Sequence, residues 1–406
     1  MVSENEKMTK LNRLFITTWG YPTKTAKGNP FVKEMAESIA RRGVRVVVIV
    51  LSFKGLRSLV NAPRNNWSTS DYIEVREVTV MNLIPGFLRI PRLQRILAIQ
   101  QVSKQLEKIK RSVGEPDAFQ IHYIRHSSCW LFEEFIRKNH LKYILFEHSP
   151  GSSFLRSDSL NRGGFKNFLD IKSFVQGASL RIARIKKYQE KLEELYQSTF
   201  QTLPSFISNE FTQLSNGHLA KRKGQDSRFT FIGIGSLIKN KGYGLLIDSF
   251  SLAFKEDKNV DLVILGDGPL KADLLSKVSK HNMTNQIKLM GLVSKQSVFE
   301  HILSANVVVV SSAWETFGNT VIEGMLLGKP VLSTKCDGPE TIITKETGIL
   351  CERTVESMSD ALKWMYENHG KFDSNLISEY CVNNYSEEKV MNKLSDYYLD
   401  NLGLVL

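Results

Sequence analysis

Residues 311–331 read SSAWETFGNTVIEGMLLGKPV and directly follow the apolar run Val307–Val310. Apolar residues recur at helical spacing in Val321–Leu326, and Gly328 stops the pattern. The stretch therefore predicts a strand, a loop and a helix. The first backbone N–H groups of such a helix lack partners within it and carry the positive end of its dipole, so they favour a bound anion such as phosphate.

Two glutamates frame this predicted junction. Glu315 precedes it, and Glu323 lies about one turn inside the helix. A carboxylate repels phosphate but accepts hydrogen bonds from neighbouring hydroxyls, which indicates one glutamate for a sugar and one for a ribose. The alternative is a solvated loop with two surface acids, the usual location of glutamate.

The length of 406 residues suggests two domains, because single cores stop growing near roughly 250 residues. Strand and helix patterns alternate along both halves, which predicts an α/β protein with parallel sheets. We expect a first domain over 1–217, a polar linker over 218–227, and a second domain over 225–385. Residues 386–406 are predicted to form a C-terminal helix that packs back on the first domain.

Ligand-binding residues of the first half are expected at the carboxyl edge of its sheet. The loop that contains Gly28 and Asn29 follows a predicted strand over 11–18, and His148 follows the strand Lys142–Glu147. A lone histidine is more often structural than catalytic. His122, at the end of the preceding predicted strand, is a second candidate for a catalytic histidine at this edge. His148 is favoured because the polar loop 149–153 follows it directly.

Charge is distributed unevenly along the chain. Residues 1–205 contain 33 Lys and Arg against 18 Asp and Glu, whereas residues 206–406 contain 21 against 24. Many of the basic residues lie in 167–196, which we predict to be one long helix. A solvated basic face is the default interpretation. Contact with an anionic membrane ranks second, and nucleic acid is not expected because no RNP, finger or zipper motif is present.

The first 18 residues and the cysteines indicate the cellular compartment of the protein. Residues 1–18 are charged and hold no sustained apolar stretch, so we expect no signal peptide. The four cysteines form no C-x-x-C pair, which argues against zinc or a disulfide framework. The sequence thus predicts a cytoplasmic protein, with peripheral contact to the inner face of the cell membrane as a further hypothesis.

A glycine turn opens the second domain. Gly235 and Ser236 follow a predicted strand over 229–234, and Lys241 precedes the next helix. The spacing fits neither the dinucleotide-binding fingerprint nor a Walker loop. A lysine at a helix start can supply a fixed cation for a diphosphate, although a surface lysine is the commoner explanation.

Taken together, these motifs resemble the donor site of the retaining family 4 glycosyltransferases. The matching stretches are Gly235-Ser-Leu237 with Lys241-Gly242, Leu265-Gly-Asp-Gly-Pro269, Glu315 to Glu323 around Phe-Gly-Asn, Gly328-Lys-Pro-Val331, Gly338-Pro-Glu340 and Gly348-Ile-Leu350. The resemblance implies a GT-B fold, in which two Rossmann-like domains face each other across a cleft. The second domain would bind the nucleotide and the first the acceptor.

The resemblance also implies roles for individual residues. Lys241 would pair with the diphosphate, and Glu323 would hold the ribose. Glu315 would contact the sugar near the reacting carbon, and His148 would lie close to the sugar and the acceptor. Backbone groups complete the implied donor site; they belong to Phe317, Gly318, Asn319, Gly235, Ser236, Gly28 and Asn29.

The implied reaction moves a sugar from a UDP- or GDP-linked donor to a hydroxyl of a lipid-linked, glycan or polysaccharide acceptor, with retention. No cofactor or metal is expected, because a lysine and a helix N-terminus can stabilise the leaving diphosphate and no Asp-x-Asp motif occurs. The family usually has an arginine where this chain has Ser236. The alternatives are therefore a GT-B-type nucleotide-sugar epimerase or hydrolase, or a non-catalytic partner subunit.

Overall fold

The computed structural model describes residues 9–18, 30–55, 67–82, 92–124, 126–148, 165–218 and 228–406. The chain divides into two compact units, one formed by Met1–Leu203 with Met391–Leu406 and the other by Pro204–Val390. The first unit thus ends before the boundary predicted at residue 217. The helix Asn209–His218 packs within the second unit, where the Phe211 ring centroid lies 5.4 Å from that of Phe299. Residues 219–227, most of the predicted linker, lie outside the described residues.

The strands predicted over 11–18, 142–147, 229–234 and 307–310 are all formed. The strands are β1 Thr9–Lys10, β2 Arg13–Thr18, β3 Arg45–Gly55, β4 Trp67–Ser70, β5 Ile73–Asn82, β6 Ala118–His122, β7 Lys142–Glu147, β8 Leu180–Ala183, β9 Gln201–Thr202, β10 Phe229–Ile234, β11 Val260–Leu265, β12 Ile287–Gly291, β13 Val307–Val310, β14 Val331–Thr334, β15 Gly348–Cys351 and β16 Leu404–Val405. The α-helices are α1 Pro30–Arg41, α2 Arg92–Val113, α3 His126–Lys138, α4 Phe165–Gln176, α5 Lys186–Tyr196, α6 Asn209–His218, α7 Tyr243–Phe254, α8 Lys271–Lys280, α9 Lys295–Ser304, α10 Asn319–Leu326, α11 Val355–Asn368, α12 Ser374–Tyr385 and α13 Glu387–Leu402.

In the described part of the first unit, one sheet has the strand order β4-β5-β3-β2-β6-β7-β8-β9, and β1 pairs separately with β16. All neighbours in the larger sheet are parallel except β4 and β5. The strands that follow β2 along the chain therefore lie on both sides of it, with β3 on one side and β6 on the other. The segments after β6, β7 and β8 leave from the same carboxyl edge, which brings His122, His148 and Arg184 to one end of the sheet.

The long helix predicted over 167–196 is wrong. Helix α4 ends at Gln176, strand β8 follows, and α5 begins at Lys186. Leu180 and Ile182 are buried, and Leu180 pairs with Ile144 of β7. The alternation of buried and more exposed side chains in β8 lets this short segment join the sheet, where its backbone groups and apolar side chains are satisfied together.

The sheet of the second unit has the order β12-β11-β10-β13-β14-β15, and all of its strands are parallel. This is the order of a Rossmann fold, in which chain connections run in opposite directions from the central pair β10 and β13. Ligands of such sheets bind at the carboxyl ends of that pair. The loops after β10 and β13 carry the predicted donor-site residues, so the topology brings them to the expected position.

Membrane-spanning helices and metal-binding clusters are both absent from the described residues. None of their helices combines the length and hydropathy of a membrane span. No group of three or more His, Cys, Asp or Glu side chains in these ranges is placed to hold a metal ion.

Candidate functional site

Hydrogen bonds join the loop after β10 to the loop after β13. The amide of Ala313 donates to the carbonyl of Asn240 at 2.7 Å, and the side-chain amide of Asn240 donates to the carbonyl of Trp314 at 2.9 Å. The hydroxyl of Ser311 donates to the carbonyl of Lys241 at 2.8 Å. These bonds fix the backbone of Lys241 against the other loop, so its side chain starts from a defined position.

Gly242 makes this close approach possible. Its φ is 68°, in the left-handed region that favours glycine. A Cβ at this position would lie 2.0 Å from the carbonyl oxygen of Ser311, much closer than any atom contact allows. The glycine after the lysine is therefore required by the packing of one loop on the other.

Lys241 and Glu315 form an ion pair at this edge. Nζ of Lys241 lies 2.5 Å from Oε1 of Glu315, with 26% of the lysine and 15% of the glutamate side chain exposed. The Ser312 hydroxyl donates to the same carboxylate oxygen at 2.6 Å. Gly235 lies beside the pair, because a Cβ on it would be 3.4 Å from Cε of Lys241, whereas Ser236 is exposed. The structure thus brings Gly235, Lys241 and Glu315 together.

The predicted anion-binding junction is also formed. Helix α10 begins at Asn319, and Gly318 precedes it with φ 105° and makes no side-chain cap. Phe317 is buried and packs on Tyr385, with ring centroids 5.6 Å apart. Asn319 is exposed at the helix start, and Glu323 is half-buried about one turn further on. The N–H of Val321 donates to the carbonyl of Gly318 at 2.9 Å, so Asn319 and Thr320 carry the backbone N–H groups at the helix start that would favour an anion.

Tyr243 is a site residue that the sequence reasoning missed. It is buried at the start of α7, and its hydroxyl would lie 3.1 Å from a Cβ on Gly235. Burial raises the pKa of Tyr243, and the charge of Glu315 raises it further. The phenol therefore stays neutral and lies beside the Lys241–Glu315 ion pair. Its position directly after Lys241-Gly242 was the available signal.

His148 lies at the carboxyl edge of the first unit, as predicted, but inside a hydrogen-bonded cluster. Its Nδ1 lies 3.0 Å from Nε and 2.8 Å from Nη2 of Arg184, and its Nε2 lies 2.6 Å from Nδ1 of His122. The two histidine rings are inclined by only 10°. Burial, together with the charge of Arg184, lowers the pKa of both histidines well below the usual range.

Two further predictions cannot be compared with this geometry. Gly28 and Asn29 lie outside the described residues, as does the polar loop 149–153. Arg184, which contacts His148, was missed because the sequence pattern placed it on a helix.

The second unit is similar to a known family. Residues 217–380 match the family described as glycosyl transferases group 1. The second unit is thus similar to the group 1 glycosyl transferases. The chain is 35% identical over 188 residues to an uncharacterized glycosyltransferase of Methanocaldococcus jannaschii, a match that covers 45% of this chain and 46% of that relative. The chain thus spans less than half the length of this relative.

A second relative aligns over more of the chain. It is the GPI3 subunit of phosphatidylinositol N-acetylglucosaminyltransferase from Saccharomyces cerevisiae, 21% identical over 337 residues, which are 82% of this chain and 69% of the relative. At such identity the alignment supports common architecture more than common specificity.

Solved structures confirm the fold of the chain. Sucrose-phosphate synthase from Thermosynechococcus elongatus matches with a TM-score of 0.72 and 16% identity, over 96% of this chain and 98% of that one. HepE of Anabaena in complex with UDP-glucose matches with a TM-score of 0.66 and 15% identity, over 96% and 100%. The predicted class, a GT-B protein with two Rossmann-like α/β units, is confirmed.

Proposed function

We propose that this chain transfers a hexosyl or N-acetylhexosaminyl group from a nucleoside-diphosphate sugar to a hydroxyl of a lipid-linked or glycan acceptor, with retention and without a metal. The observation that carries the proposal is the Lys241–Glu315 pair beside the N-terminus of α10 at the switch point of the second sheet. In this proposal the lysine and the helix N-terminus bind the diphosphate of the donor, and the carboxylate of Glu315 binds hydroxyls of its sugar.

The chemistry follows from where charge develops. Cleavage of the bond between the anomeric carbon and phosphate leaves negative charge on the departing diphosphate. The ammonium of Lys241 has three N–H donors, so it can keep Glu315 and also donate to a phosphate oxygen. The N–H groups from Gly318 and Asn319 onward supply fixed dipoles for the same charge. Neither contribution requires a divalent cation.

The two glutamates take the hydroxyl groups of the donor in this proposal. Glu315, held by Lys241 and Ser312, accepts from hydroxyls of the sugar, and Glu323 accepts from the ribose. His148 in the first unit serves to position the sugar and the acceptor. Retention is proposed to proceed on one face of the sugar, with the leaving phosphate taking the acceptor proton.

The relatives suggest the donor class. HepE was solved with UDP-glucose, and the GPI3 subunit belongs to an enzyme that transfers N-acetylglucosamine. A UDP- or GDP-linked hexose or N-acetylhexosamine is therefore the proposed donor. The phosphatidylinositol in the name of the second enzyme supports a lipid-linked acceptor.

Thermal unfolding with UDP, GDP and ADP tests the donor site. The matching nucleotide at 100-fold excess over its Kd should raise Tm by about 5 °C, since it binds only the folded chain. Lys241→Met should abolish this shift. Arg228→Met is the matched control, because Arg228 pairs with Asp261 at 2.7 Å and comparable exposure, 38% and 13%, but at the amino edge of the same sheet. No shift with any nucleotide, or equal loss in both variants, would count against the site.

Product analysis tests the stereochemistry and the metal. With the stabilising donor and a panel of lipid-linked and glycan acceptors in EDTA, NMR of the product should show the anomeric configuration of the donor. An inverted product, or transfer only after Mg²⁺ or Mn²⁺ is added, would contradict this part of the proposal.

Helix α2 supports peripheral membrane contact at the inner face of the cell membrane. Ile96 and Leu97 are about half exposed near its start, and Lys104, Lys108 and Arg111 are exposed further along. Leu97 and the basic residues are spaced by seven, four and three positions, so they share one face. Apolar insertion and charge attraction would act together on an anionic bilayer.

Vesicle sedimentation tests this contact. The wild type should bind vesicles that contain phosphatidylserine and release them at high salt, and Ile96→Ser with Leu97→Ser should weaken binding. Leu252→Ser, at an apolar residue of α7 with similar exposure, is the control. Equal binding to neutral vesicles, or equal loss in the control, would argue against it.

A further inference from the structure

Five buried side chains of the first unit form one continuous hydrogen-bonded chain. In order they are Arg184, His148, His122, Gln120 and Tyr398, and they come from the segments after β7 and β8, from β6, and from α13. Beyond the contacts of His148 described above, the side-chain amide of Gln120 lies 2.5 Å from Nε2 of His122 and 2.5 Å from the hydroxyl of Tyr398. Each contact is at hydrogen-bond distance, so one of its two atoms must carry a proton and the other must accept it.

Arg184 fixes the first of these protons. A guanidinium has only N–H donors, and burial lowers the pKa of Arg184 to about 9, which leaves it charged at neutral pH. Two of its N–H groups point at Nδ1 of His148. That nitrogen must therefore carry a lone pair, and the single proton of the neutral ring must be on Nε2.

The remaining protons follow in sequence. The Nε2–H of His148 donates to Nδ1 of His122, so the proton of neutral His122 is also on Nε2. That N–H requires an acceptor, which the carboxamide of Gln120 supplies when its oxygen faces the ring and its nitrogen faces Tyr398. The opposite orientation leaves one proton for two rings, which would demand an imidazolate. Turning the amide gives up only a weak 3.2 Å contact with Sδ of Met35.

We propose that Arg184 is a positioning residue that holds His148 as the neutral Nε2–H tautomer with both ring nitrogens occupied. In that state His148 cannot take a proton from an acceptor hydroxyl, and only its ring carbons remain for contact with other groups. The assignment of the tautomer stands on the geometry alone. Its consequence for transfer, that His148 is neither acid nor base, rests on the proposed function.

The other described groups around His148 agree with this state. Phe31 of α1 packs on both residues, with its ring centroid 3.4 Å from Cζ of Arg184 and 5.1 Å from the centroid of the His148 ring. The Tyr123 ring lies 4.9 Å away, and the carboxylate of Glu147 accepts from the amide of Ile124 at 3.1 Å. Arg184 is thus the cation that contacts the ring directly, and a second positive charge on His148 would be repelled.

Nitrogen-15 NMR of histidine-labelled protein tests the tautomer without any assay of transfer. Both His122 and His148 should show protonated Nε2 and unprotonated Nδ1 from pH 5.5 to 8. An Nδ1–H signal from His148, or a ring that titrates near the ordinary pKa of histidine, would overturn the proposal. If the tautomer is found but no donor supports transfer, the proposed function fails and this inference stands.

Two variants separate Arg184 from the rest of the chain. Arg184→Met removes both donors, so His148 should lose the single tautomer and begin to titrate, and kcat should gain an acidic limb that the wild type lacks. Tyr398→Phe removes only the far hydroxyl and should leave the tautomer of His148 unchanged. If Arg184→Met does not fold, the nitrogen-15 spectra of the wild type and of Tyr398→Phe decide. If the tautomer of His148 changes in Tyr398→Phe but is retained when Arg184 is replaced, then Tyr398 and not Arg184 sets the tautomer, and the proposal is wrong.

Discussion

Nζ of Lys241 lies 2.5 Å from Oε1 of Glu315, although 74 positions separate the two residues along the chain. The pair exists because the loop after β10 lies beside the loop after β13. In the proposed donor site, a bound diphosphate would therefore share the lysine with a carboxylate that is already bound to it.

Glu315→Gln should therefore separate binding from transfer. Without the competing charge, free nucleoside diphosphate should bind about 3- to 10-fold more tightly, because Lys241 is released to the phosphates. Transfer should fall by about 100-fold or more, because the sugar loses its charged acceptor. Isothermal titration and initial rates measure the two effects. Weaker binding of the free nucleotide by this variant would contradict the competition.

Ser236→Arg should add a further cation to the proposed donor site. Ser236 is exposed next to Gly235 and Lys241, so an arginine there has room to reach a diphosphate and can bind it in a bidentate manner. The Kd for the nucleoside diphosphate should fall by about 10-fold. Ser236→Met, similar in length but uncharged, is the control. An equal effect of both substitutions would mean that the charge is not responsible.

Gly242→Ala should destabilise the second unit strongly. The new methyl group would lie 2.0 Å from the Ser311 carbonyl oxygen at a left-handed φ, and we expect a loss of about 3 kcal/mol in the free energy of unfolding. Gly370→Ala is the control, because no atom lies within 4 Å of its added Cβ, and it should cost less than about 0.5 kcal/mol. Urea unfolding followed by circular dichroism gives both values, and equal values would contradict the close approach.

The first unit should lose stability in mild acid. Folding lowers the pKa of His122 and His148 below the ordinary value of 6.5, so below that pH the unfolded chain binds more protons than the folded one. The free energy of opening should fall by about 1.4 kcal/mol per pH unit for each ring below about pH 6.5, and neither ring should contribute above about pH 7.5. Hydrogen exchange of the Leu145 amide in β7, corrected for intrinsic rates, reports this unit alone. If the free energy of opening does not change with pH between 5 and 6.5, the predicted loss of stability in acid is wrong.

The second unit was largely predictable because its central strands are buried on both faces. Such strands read as continuous apolar runs, and the predicted ranges of β10 and β13 coincide with those in the structure. The sequence also indicated Lys241 and Glu315 separately. Their contact was not predictable, because it depends on which strands are neighbours in the sheet.

The first unit shows the opposite case. Strand β8 has four residues, too few for a period to be recognised, and the arginines around it resemble the charged face of a helix. Arg184 was therefore assigned to a surface, whereas burial and a contact with His148, 36 residues earlier in the chain, define its role. A residue whose function depends on a distant buried partner leaves no local signal in a single sequence.

The pairing of β1 with β16 affects how the protein is made. Thr9 and Lys10 align with Leu404 and Val405, and Lys142 donates to the carbonyl of Leu402. The ribosome synthesises the whole of Pro204–Val390 before it reaches these partners. The second unit can thus fold on the nascent chain, whereas the first must wait, incomplete and exposed to chaperones and proteases, until residues 391–406 leave the exit tunnel.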